Sequence, residues 1–121
     1  LRMFLNFGHS LAHALESFKN YQGISHGEAV SIGMSVVTEN TERMGLTEKG
    51  TEKKIKEILS LLHLPIKTSI SIEKLMPYIM HDKKIRGDFI TLVILESIGK
   101  PKLIRVPLEQ ISTYLATGSS L

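Results

Sequence analysis

Arg2, Asn6, His9, His13 and Glu16 recur at alternating spacings of four and three residues near the start of the chain. On an α-helix that spacing places all of them on one stripe. Two imidazoles one turn apart can ligate a metal or hold a phosphate. A helical histidine pair is as common in a hydrogen-bonded, partly buried setting, so the pair alone leaves both readings open. Arg2 and Asn6 on the same stripe are costly to bury without partners, so the stripe as a whole points to a bound ligand. A second candidate is His26-Gly27-Glu28. A histidine at a helix start can reach a neighbouring helix, or it can serve as a cap with Glu28 complementing the helix dipole. The third is Asp82-Lys83-Lys84. Adjacent lysines read as solvated surface or, beside a site, as point charges for a phosphate or carboxylate. His63 and His81 have no such context and read as structural or surface residues.

These residues need helices to hold them. Residues 1–18 read as a first helix, with Phe4, Leu11, Leu15 and Phe18 as its apolar stripe and with Gly8 and Ala12 small enough to admit a neighbouring backbone. Residues 20–25 read as a connection with Gly23 as its turn or cap residue. A second helix is expected from residue 26 to 44. Residues 29–37 are apolar on nearly every face and therefore buried; the polar residues 38–43 are expected in solvent, with Gly45 as terminator. Thr47 or Thr51 is expected to cap a third helix ending near Leu62. Its buried face is read as Ile55, Ile58, Leu59 and Leu62, its wet face as Glu52, Lys53, Lys54, Lys56 and Glu57, and Pro65 blocks its continuation. Ser71 opens a short helix to about Met80 that Pro77 is expected to shorten or distort. Two β-prone runs, residues 89–95 and 102–106, flank Gly99-Lys100-Pro101 as a hairpin. Pro107 suits the first turn of a last helix over residues 108–116, and the tail after it is expected to fray. The expected fold is mainly α: one multi-helix domain with a small β-hairpin near residues 89–106.

Composition narrows the function. The 121 residues are 42% hydrophobic and 22% charged, which excludes a disordered or low-complexity chain. No apolar run approaches the roughly 20 residues of a membrane span. The absence of cysteine excludes disulfides, thiolate metal sites and cysteine nucleophiles. Fifteen Lys/Arg against 12 Asp/Glu give a net charge of +3. The Lys53-Lys54-Lys56 run is flanked by Glu52 and Glu57, so no nucleic-acid partner is expected, and an anionic small molecule suits a few placed cations better. No signal peptide is visible, and the expected location is the cytoplasm. The chain begins at Leu1 with residues that already read as the inside of a helix, so it is expected to be a piece of a longer protein.

Asn6-Phe7-Gly8-His9-Ser10-Leu11-Ala12-His13-Ala14-Leu15-Glu16, then His26-Gly27-Glu28-Ala29-Val30 with Gly33-Met34, then Asp82-Lys83-Lys84 and Ile98-Gly99, closely resemble the 3-dehydroquinate synthase family, in order and over essentially the whole chain. The resemblance implies the mainly helical C-terminal domain of an enzyme of the shikimate pathway. Such enzymes convert 3-deoxy-D-arabino-heptulosonate 7-phosphate to 3-dehydroquinate and phosphate, with NAD oxidised and restored in each turnover and one divalent metal, zinc or cobalt. It implies His9 and His26 as metal ligands, with a glutamate of the N-terminal domain as the third. His13 is then the active-site histidine and a candidate for proton handling. Arg2 and Asn6 map onto substrate-binding positions, as does one of Lys83 and Lys84, Lys84 by preference. The reaction asks for these parts: a Lewis acid to polarise a hydroxyl being oxidised, cations for the leaving phosphate, and a hydride carrier.

Ala12 stands where the family usually has glycine, and Ser10 where threonine is common. No glycine-rich dinucleotide fingerprint occurs in the chain. The resemblance therefore assigns NAD and the third ligand to an N-terminal NAD-binding domain absent from this chain. The chain alone is expected to be inactive and to bind zinc weakly, the parent enzyme to be a homodimer, and the first helix to be loosened without its partner domain. Three other readings compete. Another sugar-phosphate cyclase of the same superfamily is the nearest, with Asn6 and Asp82-Lys83-Lys84 leaning toward dehydroquinate synthase. A metal-dependent polyol dehydrogenase would share the histidines but not Glu28-Ala29-Val30. A non-catalytic helical binding module would leave the polar stripe without a role.

Overall fold

The computed structural model of the chain describes residues 9–19, 23–83 and 89–116, with the backbone alone for His9, Ser10, His13, His81, Asp82 and Lys83. The expected first helix is described as α1, His9–Phe18; its first turns, with Arg2, Phe4, Asn6 and Gly8, lie outside the described residues. Leu11, Ala12, Ala14 and Leu15 are fully or almost fully buried, where α1 packs against α2 (His26–Arg43) and α4 (Ile72–Lys83). Phe18 is half-exposed and meets the Tyr78 ring edge-on at 5.9 Å.

The central element is α2, packed on α1, on α3 (Thr51–Leu61), on β1 (Phe89–Ser97) and on the last helix, α5 (Ile111–Leu115). It starts with a capping box. Ser25 Oγ accepts from the Glu28 N–H at 3.1 Å, and Glu28 Oε1 accepts from the Ser25 N–H at 2.9 Å. The cap is therefore Ser25 and not His26, which is the first helical residue. The apolar first half is buried as expected, through Ala29, Ile32, Val36 and Val37. The polar second half is only partly in solvent: Arg43 is exposed and Glu39 and Glu42 are half-buried, but Thr38, Asn40 and Thr41 are at most 1% exposed. Two of the three buried side chains link to distant parts of the chain, Thr41 through Thr47. Asn40 Nδ2 donates to the Tyr114 and Ala116 carbonyls at 2.8 and 3.1 Å, tying the end of α5 to α2. Thr41 and Thr47 share a 2.6 Å hydroxyl contact, and Thr47 donates onward to the Leu95 carbonyl of β1 at 2.5 Å.

Gly45 ends α2 as expected. The Leu46 N–H reaches the Thr41 carbonyl and the Gly45 N–H the Glu42 carbonyl, a Schellman pattern that places Gly45 at φ +84°. Neither Thr47 nor Thr51 caps α3. Its N-cap is Gly50, and Glu42 of α2 does the capping from outside by accepting from the Gly50 and Glu52 N–H groups at 3.2 and 2.7 Å. Only Ile55 and Leu59 of the expected apolar face are buried; Ile58 and Leu62 are 47% and 62% exposed, because α3 packs on α2 along a single narrow stripe. A second Schellman pattern closes α3, with Leu64 N–H on the Leu59 carbonyl and His63 N–H on the Ser60 carbonyl. Here the left-handed position is His63, at φ 60°.

Pro77 does not shorten α4, which continues to Lys83 and buries Ile72, Leu75 and Ile79. Pro77 and Glu73 are both exposed, so the carbonyl that proline leaves without a donor belongs to the wet side of the helix. The hairpin is longer than the sequence suggests: β1 pairs antiparallel with β2 (Lys100–Pro107) around an Ile98-Gly99 turn, and Lys100 and Pro101 belong to β2. The register shifts between Leu95 and Ser97, and the Glu96 carbonyl at the irregularity accepts from the Glu48 N–H at 2.7 Å. Residues 108–116 form a 3-10 turn, Leu108–Gln110, followed by the short α5, which buries Ile111 and Leu115. Among the described residues no helix is long and apolar enough to cross a membrane. The mainly helical domain with one small hairpin is as expected.

Candidate functional site

Three of the candidate residues are fixed by α1. His9, His13 and Glu16 stand at positions i, i+4 and i+7, which is one face of the helix. Leu11, Ala12, Ala14 and Leu15 anchor the rest of α1 in the core, so this face is set by packing against α2 and α4. His26 stands at the opening of α2, where the Ser25–Glu28 capping box fixes the backbone that carries it. The tripeptide read as one candidate thus divides into two roles. Glu28 is used locally to close the helix start, while His26 presents its ring beyond it.

The structure brings His26 to α1. Its Nδ1 lies 3.2 and 3.3 Å from the two carboxylate oxygens of Glu16. The Glu16 side chain is 12% exposed, the His26 side chain 64%. The last member of the polar stripe therefore holds the imidazole of the second motif. Glu16 received no role from the sequence; the available signal was its place one turn after His13 and ten residues before His26.

The remaining candidates are distributed as follows. His9 and His13 are described as α1 backbone and Lys83 as the last residue of α4, which packs on α1. Arg2, Asn6 and Lys84 lie outside the described residues. Among the described residues no group of three or more histidines and acids forms a complete metal-holding cluster. The donor chemistry nevertheless fits a divalent cation, since an imidazole backed by a carboxylate on its other nitrogen is the usual arrangement of a metal-ligating histidine. His63 is an exposed helix-terminating residue, in agreement with its structural reading.

A separate charged groove runs between α2 and α3. Lys56 Nζ meets Glu39 at 2.8 Å and Glu52 at 2.6 Å, and Arg43 meets Glu39 at 3.3 Å. Partial burial works against the Lys56 ammonium, but hydrogen bonds and charge from Glu39 and Glu52 outweigh it, so its pKa is raised. With Glu42 engaged in capping α3, these charges serve the helix pair.

Comparison with known proteins places the chain. Residues 1–85 match the sequence model of the 3-dehydroquinate synthase C-terminal domain. The 3-dehydroquinate synthase of Enterococcus faecalis is 44% identical over 116 residues, 95% of this chain and 32% of that protein. That of Clostridium kluyveri is 43% identical over 115 residues, 94% of this chain and 32% of that protein. The chain thus spans about a third of the length of these curated relatives. Two solved structures share its fold. One is a 2-deoxy-scyllo-inosose synthase complexed with carbaglucose-6-phosphate, NAD+ and Co2+, with a TM-score of 0.73 and 24% identity over 93% of this chain and 33% of that one. The other is a 2-epi-5-epi-valiolone synthase from Streptomyces hygroscopicus subsp. jinggangensis with NAD+ and Zn2+ bound, with a TM-score of 0.75 and 23% identity over 92% of this chain and 31% of that one. With the motifs of α1 and the opening of α2 both inside the matched region, the chain belongs to the 3-dehydroquinate synthase family.

Proposed function

We propose that this chain is the C-terminal, metal- and substrate-binding part of a cytoplasmic, homodimeric enzyme that converts 3-deoxy-D-arabino-heptulosonate 7-phosphate to 3-dehydroquinate and phosphate, and that it works only with an NAD-binding domain. The observation that carries this reading is 44% identity to a 3-dehydroquinate synthase over 95% of the chain. The family match over residues 1–85 also contains His9, His13, His26, Lys83 and Lys84. That the chain spans about a third of its relatives supports the need for a second domain, which would carry NAD and the third metal ligand. The NAD+ and the Co2+ or Zn2+ of the two solved cyclases support the same cofactors here.

In this reading a divalent cation, when bound, would supply Lewis-acid polarisation at the substrate hydroxyl, and NAD would supply a hydride carrier. His9 and His26 hold that cation, one from the face of α1 and one from the opening of α2. Arg2, Asn6 and one of Lys83 and Lys84 bind the substrate, and the positive charge of the arginine and the lysine lowers the cost of releasing phosphate. His13, one turn after His9, takes up the proton freed beside the leaving phosphate. Another sugar-phosphate cyclase is the second reading, favoured by the TM-scores of 0.73 and 0.75 to two of them. The identities of 24% and 23% against 44% weigh toward dehydroquinate synthesis.

The test is complementation. The chain combined with an NAD-binding domain, NAD and zinc is expected to release phosphate from 3-deoxy-D-arabino-heptulosonate 7-phosphate and to form 3-dehydroquinate, while the chain alone releases none. His13→Ala is expected to lower turnover by about 100-fold or more, the scale of a lost general acid or base. Release by the chain alone contradicts the two-domain requirement, and NAD reduction without phosphate release points to a dehydrogenase instead.

A further inference from the structure

We propose that Glu16 is a positioning residue: it holds the His26 imidazole through Nδ1 and so commits Nε2 to the divalent metal. This rests on the reading of His26 as a metal ligand and extends it to a residue that the motifs leave without a role.

The contact has a direction. An ionised carboxylate only accepts hydrogen bonds. With both Glu16 oxygens within 3.3 Å of Nδ1, that nitrogen carries the hydrogen. The neutral ring then has its lone pair on Nε2, which is the form in which histidine ligates a metal. The exposures also matter. Glu16 is 12% exposed and spends its carboxylate on a ring that is 64% exposed. A polar contact with one partner largely in solvent adds little to the stability of a fold, which is a weak reason to place a carboxylate in a mostly buried position. A geometric role is a better one.

Both ends of the contact sit on helices. Glu16 is in the last turn of α1, directly after the buried Leu15. His26 is the first residue of α2, behind the Ser25–Glu28 capping box. The ring is thus attached by its backbone to one helix and by Nδ1 to another, across a connection of seven residues, 19–25. The same α1 face carries His9, seven positions before Glu16. A shift or tilt of α1 would move His9 and the Glu16 support of His26 together, so the two proposed ligands are coupled through this helix.

The experiment uses the full chain with Co2+ alone as the probe. Long-range proton–nitrogen spectra are expected to show the Nδ1–H form of His26 in the native chain. Glu16→Ala is expected to shift it toward the Nε2–H form and to weaken Co2+ binding by about 10- to 100-fold, as loss of an outer-shell partner does. Glu16→Gln, nearly the same size and still able to accept from Nδ1, is expected to keep the tautomer and to lose less affinity, which separates positioning from damage to the fold. If Glu16→Ala leaves both the tautomer and the Co2+ affinity of a chain whose His26→Ala variant binds weakly, the positioning role is overturned. If His26→Ala binds Co2+ as well as the native chain while the tautomer follows Glu16, the ligand reading is what has failed, and the proposal falls with it for a distinguishable reason.

Discussion

At the scale of single residues, short polar side chains decide how buried polar positions are tolerated. Asn40 is 1% exposed on a helix face that reads as solvated, and it is stable there because its amide caps the Tyr114 and Ala116 carbonyls. Asn40→Ala leaves two carbonyls unpaired at the end of α5 and is expected to cost about 2 kcal/mol in urea denaturation, with each lost hydrogen bond worth about 1 kcal/mol. Lys56 behaves differently. Its pKa is raised above the ordinary lysine value of 10.5 by Glu39 and Glu52 against the opposing effect of burial. The stability it contributes is therefore fully present below that value and is lost as pH rises through the folded-state pKa. The difference in urea midpoint between the native chain and Lys56→Gln is expected to be constant from neutral pH to about pH 10 and to shrink above it. Of the candidate site, the residue types and the helical stripe were legible in the sequence. The contact between Glu16 and His26 was not, because it depends on how α1 and α2 are turned toward each other across residues 19–25, which no local periodicity encodes.

At the scale of elements, helix boundaries were readable where the signal is local and misread where a distant group supplies the cap. Gly45 ended α2 as its backbone freedom requires; the Ser25–Glu28 capping box is also a local signal, within four residues, but the reading of His26 as a cap passed over it. The start of α3 was assigned to a threonine because threonines are good caps, but Glu42 from another helix does that work and frees Thr47 to join α2 to β1. The expected four-residue apolar face of α3 shrank to Ile55 and Leu59 because, among the described residues, α2 is its main packing partner. The end of α3 yields a sharper prediction. His63 occupies a left-handed cap position at φ 60° that favours glycine, and it is exposed. His63→Gly is expected to stabilise the chain by about 1 kcal/mol, read as a higher thermal midpoint, since a non-glycine residue there costs about 1–2 kcal/mol. A fall in the midpoint would show that the imidazole makes a compensating contact.

At the scale of the whole molecule, the hydrophobic core and the proposed site are built from the same helices. The buried faces of α1, α2 and α4 set the fold, and the polar face of α1 with the opening of α2 holds the residues of the proposed site. The family fold, helices with one small hairpin, was legible because long amphipathic helices and a glycine-marked turn are strong signals. The proposed division of labour is that this chain supplies two metal ligands and the substrate-facing residues, while an NAD-binding domain completes the site. Zinc calorimetry on the metal-stripped chain, with and without that domain and beside His9→Ala and His26→Ala, tests this most directly. The account predicts weak binding by the chain alone, tight 1:1 binding in the assembled protein, and loss of that tight binding in each variant. Tight stoichiometric binding by the chain alone, abolished by either substitution, would mean that the metal site is complete within these 121 residues and would contradict the account.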